Sequence, residues 1–280
     1  MSMCTYRGRE TLLVVVSVPF AVLCVPPWLW HHRVMDSSEH LAALRREGEA
    51  FAAACVDADL SLRITACPRF WLSDLIWHVT WVHDLFRFVV HHKATWPKQY
   101  QRPTRPNRPL LLPTYRMGFA ALMEELSAAD PSMEVWTFTD DHSVRFVIRR
   151  LAHETAVHRW DAETAVGLEA TLDPELASDG IDEFLTHFAR VGDEDAAPIG
   201  GSVHVHCTDV PGEWTFYPGV DESGAPTFEL VREHAKGDCA LRGTASDLLL
   251  AMWRRVPIER LDVVGDAEVA ARFLAYPRLK

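Results

Sequence analysis

The sequence has no Cys-X-X-Cys pair, and its six cysteines lie far apart along the chain. In a protein of 280 residues this spacing predicts reduced thiols and argues against a disulfide framework, so we expect a cytoplasmic protein. An excess of basic residues is also lacking, since 28 lysines and arginines stand against 39 aspartates and glutamates and the formal net charge is −11. That balance argues against a general nucleic-acid-binding protein. No internal repeat or low-complexity tract is present, so a repeat architecture is not expected.

An apolar run from Leu12 to Trp30 follows Arg7 and Arg9. It resembles a signal peptide or a short membrane anchor, and only a genuine anchor would bring the protein to a membrane. Its three prolines are unusual for either. A second interpretation is a start codon assigned too early, because Met35 stands directly before a segment with a helical pattern and would be a natural N-terminus. An ordered extension is a third. We treat residues 1–34 as an apolar extension.

Apolar residues recur at helical spacing over the next part of the chain. They predict an all-α domain over residues 35–191, with a proline-rich, basic loop at 94–113. The first helix is expected to have Ser37 or Ser38 as its N-cap. The predicted helices cover about residues 36–56, 73–92, 115–129, 142–166 and 173–191.

The pattern changes after residue 191, where glycine and acidic residues predict a linker at 192–201. Beyond it, short alternating segments predict strands, and two segments predict helices. The predicted elements are strands at 202–208, 214–217, 227–232 and 239–242, followed by helices that end near residues 253 and 275. The fold class is therefore α+β, with a small α+β domain at 202–280 behind the helical domain.

The stretch from Arg150 to Asp161 carries the strongest chemical signal. His153 and Glu154 followed by His158 look like a zinc-protease motif, but that motif needs two histidines four residues apart on one helical face. Here the histidines are five apart and point about 140° away from each other. Glu154 and His158 do share a face, and they would supply two ligands of a metal site that needs a third.

Two histidines on the predicted second helix are candidates for the third ligand. His78 and His83 each lie in an apolar stripe, and each taken alone is more typical of a core histidine. Either one would complete a His-Glu-His site with Glu154 and His158 in the core of a helical bundle, where facing helices commonly build metal sites. Three protein ligands and an open position form the catalytic arrangement for zinc.

The polar residues of the fourth helix also have purely structural interpretations. Glu154 could form a buried ion pair with a neighbouring arginine such as Arg149 or Arg150. Asp161 lies one turn after His158 and could hold the ring nitrogen that does not bind metal. Alternatively, Asp161 could pair with Arg159.

No aspartate or glutamate occurs from Leu85 through Met123, although the chain as a whole is acidic. The basic residues of this segment favour a rim that attracts anions, and a solvated basic loop is the other interpretation. The candidates for binding an anionic thiol or substrate are Arg102, Arg105 and Arg108.

A second pair of histidines occurs in the C-terminal part. His204 and His206 share one face of a predicted strand. Two ligands without a third are weak evidence for a metal site, so we interpret them as ordinary strand residues.

Three segments, at residues 68–78, 149–163 and 237–250, resemble the mycothiol-dependent maleylpyruvate isomerase family. The resemblance spans roughly residues 36–276. It implies an N-terminal DinB-like up-down helical bundle and a small, sterol-carrier-like α/β C-terminal domain. It also implies that the metal ligands are His78, Glu154 and His158, which selects His78 over His83. The metal is expected to be zinc or another divalent ion.

The resemblance further implies that mycothiol, a low-molecular-weight thiol, is the cosubstrate and that a small anionic electrophile is the substrate. The named activity converts maleylpyruvate to fumarylpyruvate by reversible thiolate addition, and a related thiol transfer is also open. The family uses an arginine of the C-terminal domain, for which Arg242 and Arg255 are the candidates. The alternatives are a thiol-independent metal hydrolase on the same bundle and a non-catalytic small-molecule-binding protein.

Overall fold

The computed structural model describes residues 34–193 and 195–279. The predicted apolar extension at 1–34 lies outside them, apart from its last residue. Within the described part, no helix combines the length and the apolar character needed to span a membrane. The helices are α1 (Ser37–Ala54), α2 (Leu72–His91), α3 (Arg108–Ala128), α4 (Val144–Ala165), α5 (Pro174–Glu183), α6 (Ala245–Met252) and α7 (Ala267–Ala275). The strands are β1 (Val203–Cys207), β2 (Glu213–Val220), β3 (Pro226–Val231), β4 (Cys239–Gly243) and β5 (Asp262–Gly265).

Helix α1 begins with a capping box rather than at the predicted serine caps. Asp36 accepts a hydrogen bond from the backbone N–H of Glu39 at 2.9 Å, and the Glu39 carboxylate accepts one from the N–H of Asp36 at 2.9 Å. The two residues thereby satisfy each other's free donors. The prediction of Ser37 or Ser38 as N-cap was wrong, because the aspartate before them takes that position.

Helix α3 begins at Arg108, seven residues before the predicted start at Tyr115. The prolines suggested a loop, but Pro109 lies in the first turn, where an N–H has no helical partner and the fixed φ of proline suits the helix. Pro113 lies inside the helix, near its start. The second part of the predicted loop at 94–113 is therefore helical.

The first four helices form a four-helix bundle, in which α1 lies along α4 and α2 lies along α3. Its core contains fully buried apolar residues from each helix, such as Leu44, Leu75, Leu122 and Leu151. Ser143 is the N-cap of helix α4, and its hydroxyl accepts a hydrogen bond from the backbone N–H of Phe146. Because α4 lies against both α1 and α2, it can bring its polar stripe to two different interfaces.

Helix α5 continues into one π-helical turn, Phe184–Phe188, and packs mainly against α6. It thereby links the bundle to the C-terminal part. The five strands form one sheet in the order β3-β2-β1-β4-β5, where β1 and β4 are parallel and the other neighbours are antiparallel. Helices α6 and α7 cover one face. Strand β5 was not predicted, because it is a short edge strand with little buried surface.

Candidate metal centre

Three polar side chains from two helices converge between α2 and α4. Nε2 of His78 lies 3.2 Å from Oε1 of Glu154, and Nε2 of His158 lies 3.1 Å from the same oxygen. The potential ligand atoms of the three residues all lie within 4.8 Å of one another. Two imidazole nitrogens and one carboxylate oxygen are a donor set that suits zinc, so the residues fit a divalent metal.

Asp161 fixes the orientation of the His158 ring. Its Oδ2 lies 2.9 Å from Nδ1 of His158, so that Nε2 of the ring faces Glu154. The pairing of Asp161 with Arg159 does not occur, because Arg159 donates a hydrogen bond to Glu47 at 2.6 Å. The partner of Asp161 is instead Arg255, which follows α6 in the C-terminal part.

The charges of this cluster reinforce one another. Burial alone would raise the pKa of Glu154, but the neighbouring His158 and hydrogen bonds from both histidines hold it well below its usual value. Burial opposes the charged form of His158 as well, yet Glu154 and Asp161 raise its pKa to about 9. The other oxygen of Glu154 lies 3.3 Å from Nη2 of Arg150, so the expected ion pair is present beside the histidine contacts. The carboxylate is therefore ionised and available as a ligand.

The other two buried histidines of these helices point elsewhere. His83 is buried, where its Nε2 lies 2.9 Å from the hydroxyl of Thr155, and burial lowers its pKa to about 3. It is a neutral core residue. His153 lies on the other side of α4, with Nε2 at 2.8 Å from Oδ2 of Asp179 on α5. Neither belongs to the cluster of His78, Glu154 and His158.

The cluster opens into a cavity of about 580 Å³. Its walls come from the bundle, the π-helical turn and the C-terminal part, and they are rich in aromatic side chains. The aromatic lining residues are Phe70, Trp81, Phe86, Trp136, Phe138, Phe188 and Trp253. Glu154 is 24% exposed and faces this space, which makes the cluster accessible to a small molecule. A mostly apolar cavity with a few convergent polar groups is typical of a small-molecule site.

The arginines that line the cavity are not those expected from the basic loop. Arg102, Arg105 and Arg108 are exposed and lie outside the lining. Arg102 lies over the ring of Trp81, 4.3 Å from its centre, and Arg105 pairs with Asp74 at 2.6 Å. The loop therefore does not line the cavity, because its charges are held outside the aromatic wall.

The positive charge of the lining comes from four arginines that lie far apart in the sequence, namely Arg69, Arg150, Arg255 and Arg278. Of the two C-terminal candidates, Arg255 lies beside the cluster, whereas Arg242 is exposed and pairs with Asp262 at 3.2 Å. Arg69 and Arg278 were missed. Arg69 belongs to the segment at 68–78 that carried the family resemblance, which could have indicated it.

Comparisons with known proteins agree with this architecture. The family model "Mycothiol maleylpyruvate isomerase N-terminal domain" matches residues 41–163, and the model "MDMPI C-terminal domain" matches residues 175–272. A crystal structure of a mycothiol-dependent maleylpyruvate isomerase has a TM-score of 0.56 at 14% identity and covers 82% of this chain and 93% of that chain. A histidine-to-alanine mutant of such an isomerase has a TM-score of 0.54 at 13% identity, with the same coverage. At this identity the likeness shows the fold. No curated protein matches significantly in sequence.

Proposed function

Because the chain belongs to the mycothiol-dependent maleylpyruvate isomerase family, we propose that it is an enzyme that uses a divalent metal and a low-molecular-weight thiol of the mycothiol type. The observation that carries the proposal is the convergence of His78, Glu154 and His158 at an aromatic cavity lined by arginines. These three residues would hold the metal. When bound, zinc or a similar ion lowers the pKa of a thiol, so that the thiolate is present near neutral pH.

The surrounding residues prepare this site. Asp161 holds Nδ1 of His158 and thereby leaves Nε2 directed at the metal position, which is the usual role of a carboxylate behind a metal-binding histidine. Arg255 holds Asp161 in turn. Arg150 links Glu154 to Glu183, so the carboxylate ligand is oriented from its second oxygen.

The substrate is proposed to be a small anionic electrophile such as maleylpyruvate. Arg69 lines the cavity and has no ion-pair partner among the described residues, so it is suited to bind a carboxylate of substrate or thiol. The thiolate of the cosubstrate adds to one carbon of the cis double bond, and the electron pair moves toward the carbonyl group. The remaining C–C single bond rotates. Elimination of the thiolate then restores the double bond in the trans form without net redox change.

The proposal is tested by metal analysis and a thiol-dependence assay on the same preparation. We expect bound metal in wild-type protein, its loss from this site in His158→Ala, and turnover of maleylpyruvate only when mycothiol is added. His92→Ala serves as control, because His92 is exposed at the end of α2 and outside the cavity. Turnover without thiol would instead identify a metal hydrolase. Wild-type protein without metal at this site would overturn both functions.

A further inference from the structure

The sheet carries a second cluster of histidines and a carboxylate, none of which lines the cavity. His204 and His206 lie on β1, and Glu213 lies on β2 directly opposite His206. Residues two apart on a strand share a face, so all three side chains project from the same side of the sheet. Val203 and Val205 alternate with them and pack into the core.

The distances within this cluster are short. Nδ1 of His206 lies 2.7 Å from Oε1 of Glu213, and Nε2 of His204 lies 3.5 Å from Oε2. The connection from β3 to β4 crosses this face and adds His234, whose Nδ1 lies 2.8 Å from Oε2 of Glu213. The ring centres of His204 and His234 are 4.9 Å apart. Three imidazoles therefore surround one carboxylate.

The hydrogen bonds within this cluster leave a position that a cation could occupy. Nε2 of His204 is buried and points into the cluster, but at 3.5 Å from Oε2 of Glu213 it makes no well-formed hydrogen bond among the described residues. The ion-pair partners of Glu213 in the described chain are histidines only. A buried nitrogen without a well-formed hydrogen bond is unfavourable unless another group satisfies it.

A third cluster provides a useful contrast. Oδ2 of Asp179 accepts hydrogen bonds from His40, His153 and Arg149, each at 2.8 Å. The guanidinium is a permanent positive charge, so this carboxylate is neutralised without a metal. No arginine or lysine takes that place in the described surroundings of Glu213.

We propose that His204, His206 and Glu213 bind a divalent transition-metal ion of the zinc class, with His234 as a fourth ligand on the solvent side. Imidazole and carboxylate ligands suit zinc, and four protein ligands make a closed, structural site. The ion would fix the β3–β4 connection to the sheet. This site is separate from the one at His78, Glu154 and His158 and does not depend on the proposed reaction.

The test measures zinc per chain after loading with zinc and dialysis into metal-free buffer. Wild-type protein is expected to hold two equivalents, and His158→Ala one. The double variant His158→Ala/Glu213→Gln is expected to hold none, because the amide keeps the size of Glu213 and removes its charge. His158→Ala/His92→Ala is the matched control and should hold one.

Two results would overturn the second site: no zinc in His158→Ala, or one equivalent retained in His158→Ala/Glu213→Gln. A failure of the proposed function would look different. Wild type would then hold one equivalent of zinc, His158→Ala would also hold one, and His158→Ala/Glu213→Gln would hold none. His206→Gln replaces Glu213→Gln if that variant does not fold. As a second readout, added zinc should raise the melting temperature of His158→Ala and leave that of the double variant unchanged.

Discussion

Arg255 and Asp161 form a bidentate ion pair that joins the C-terminal part to helix α4. Nη2 of Arg255 lies 2.9 Å from Oδ2 of Asp161, and Nε lies 3.2 Å from Oδ1. Oδ2 also contacts Nδ1 of His158. The contact between the bundle and the C-terminal part therefore reaches a proposed metal ligand through a single carboxylate, which couples the packing of the two parts to the geometry of the site.

Arg255→Lys is expected to weaken both stability and metal binding. A lysine cannot form the planar, two-point contact, so one oxygen of the fully buried Asp161 loses its partner. We expect the free energy of unfolding to fall by about 1–3 kcal/mol and zinc affinity to fall by roughly 10–100-fold. Denaturant unfolding and competition with a chelator measure the two effects.

Arg242→Lys is the control for this variant, since Arg242 also lies in the C-terminal part but pairs with Asp262 on the exposed surface. Its free energy of unfolding should change by no more than about 0.5 kcal/mol, with unchanged zinc affinity. Equal effects of the two substitutions would contradict the role of Arg255.

His78→Gln and His83→Gln test the two histidines that helical spacing left as alternatives and between which the family resemblance selected His78. The first should lose the metal of the cavity site, because Nε2 of His78 lies 3.2 Å from Glu154. The second should retain it and lose about 1–3 kcal/mol of stability, because the His83 ring packs against Tyr115 and Phe119. Metal analysis after dialysis decides between them. If His83→Gln lost the metal and His78→Gln retained it, the ligand assignment would be wrong.

The sequence predicted those parts of the site that depend on local geometry. The spacing of Glu154 and His158 on one helix determines that they share a face, and it also separates His153 from them. The choice between His78 and His83 depends on how α2 packs against α4, which the residues of one helix do not reveal. The sequence left Arg255 as one of two candidates. Its contact residue Asp161 lies 94 positions away, so local patterns do not reveal the contact.

The second cluster shows the same limit in a sheet. His204 and His206 were interpreted as ordinary strand residues because a third polar partner was not evident. Glu213 lies opposite His206 because of the register of β1 and β2, and His234 arrives on a connection between strands. The strands themselves were predicted from their alternation, but register and crossover depend on the whole sheet.

Gly48→Ala and Gly118→Ala are expected to change stability in opposite directions. Both glycines lie inside helices, where alanine is intrinsically better by about 1 kcal/mol. A Cβ at Gly48 would lie 2.2 Å from the ring of Phe119, whereas a Cβ at Gly118 meets nothing within 4 Å. Phe119 stacks on Tyr115, so moving its ring away from a new Cβ would disturb that contact.

We therefore expect Gly48→Ala to lower the free energy of unfolding by about 1–3 kcal/mol and Gly118→Ala to raise it by roughly 0.5–1 kcal/mol. Thermal and denaturant unfolding of the two single variants provide the comparison. Stabilisation by both substitutions would mean that the glycine in α1 is not required for the close approach of α3.

Asp179→Asn should reduce stability most at neutral pH and progressively less in acid. Burial would raise the pKa of Asp179, but hydrogen bonds from His153 and His40 and the charge of Arg149 lower it far below its ordinary value. A carboxyl with a depressed pKa stabilises the folded state above its unfolded pKa of about 3.9, and the contribution decreases as the pH falls further. The asparagine variant lacks this contribution at every pH.

The difference in unfolding free energy between wild type and Asp179→Asn should therefore be about 3 kcal/mol or more at pH 7 and shrink steadily below about pH 4. Urea unfolding over this range, with a chelator present to remove any metal, measures it. Asp262→Asn is the control, because that carboxylate is 62% exposed and its substitution should have a small effect at neutral pH. A difference that stays constant down to pH 2 would show that the network around Asp179 does not stabilise the ionised carboxylate.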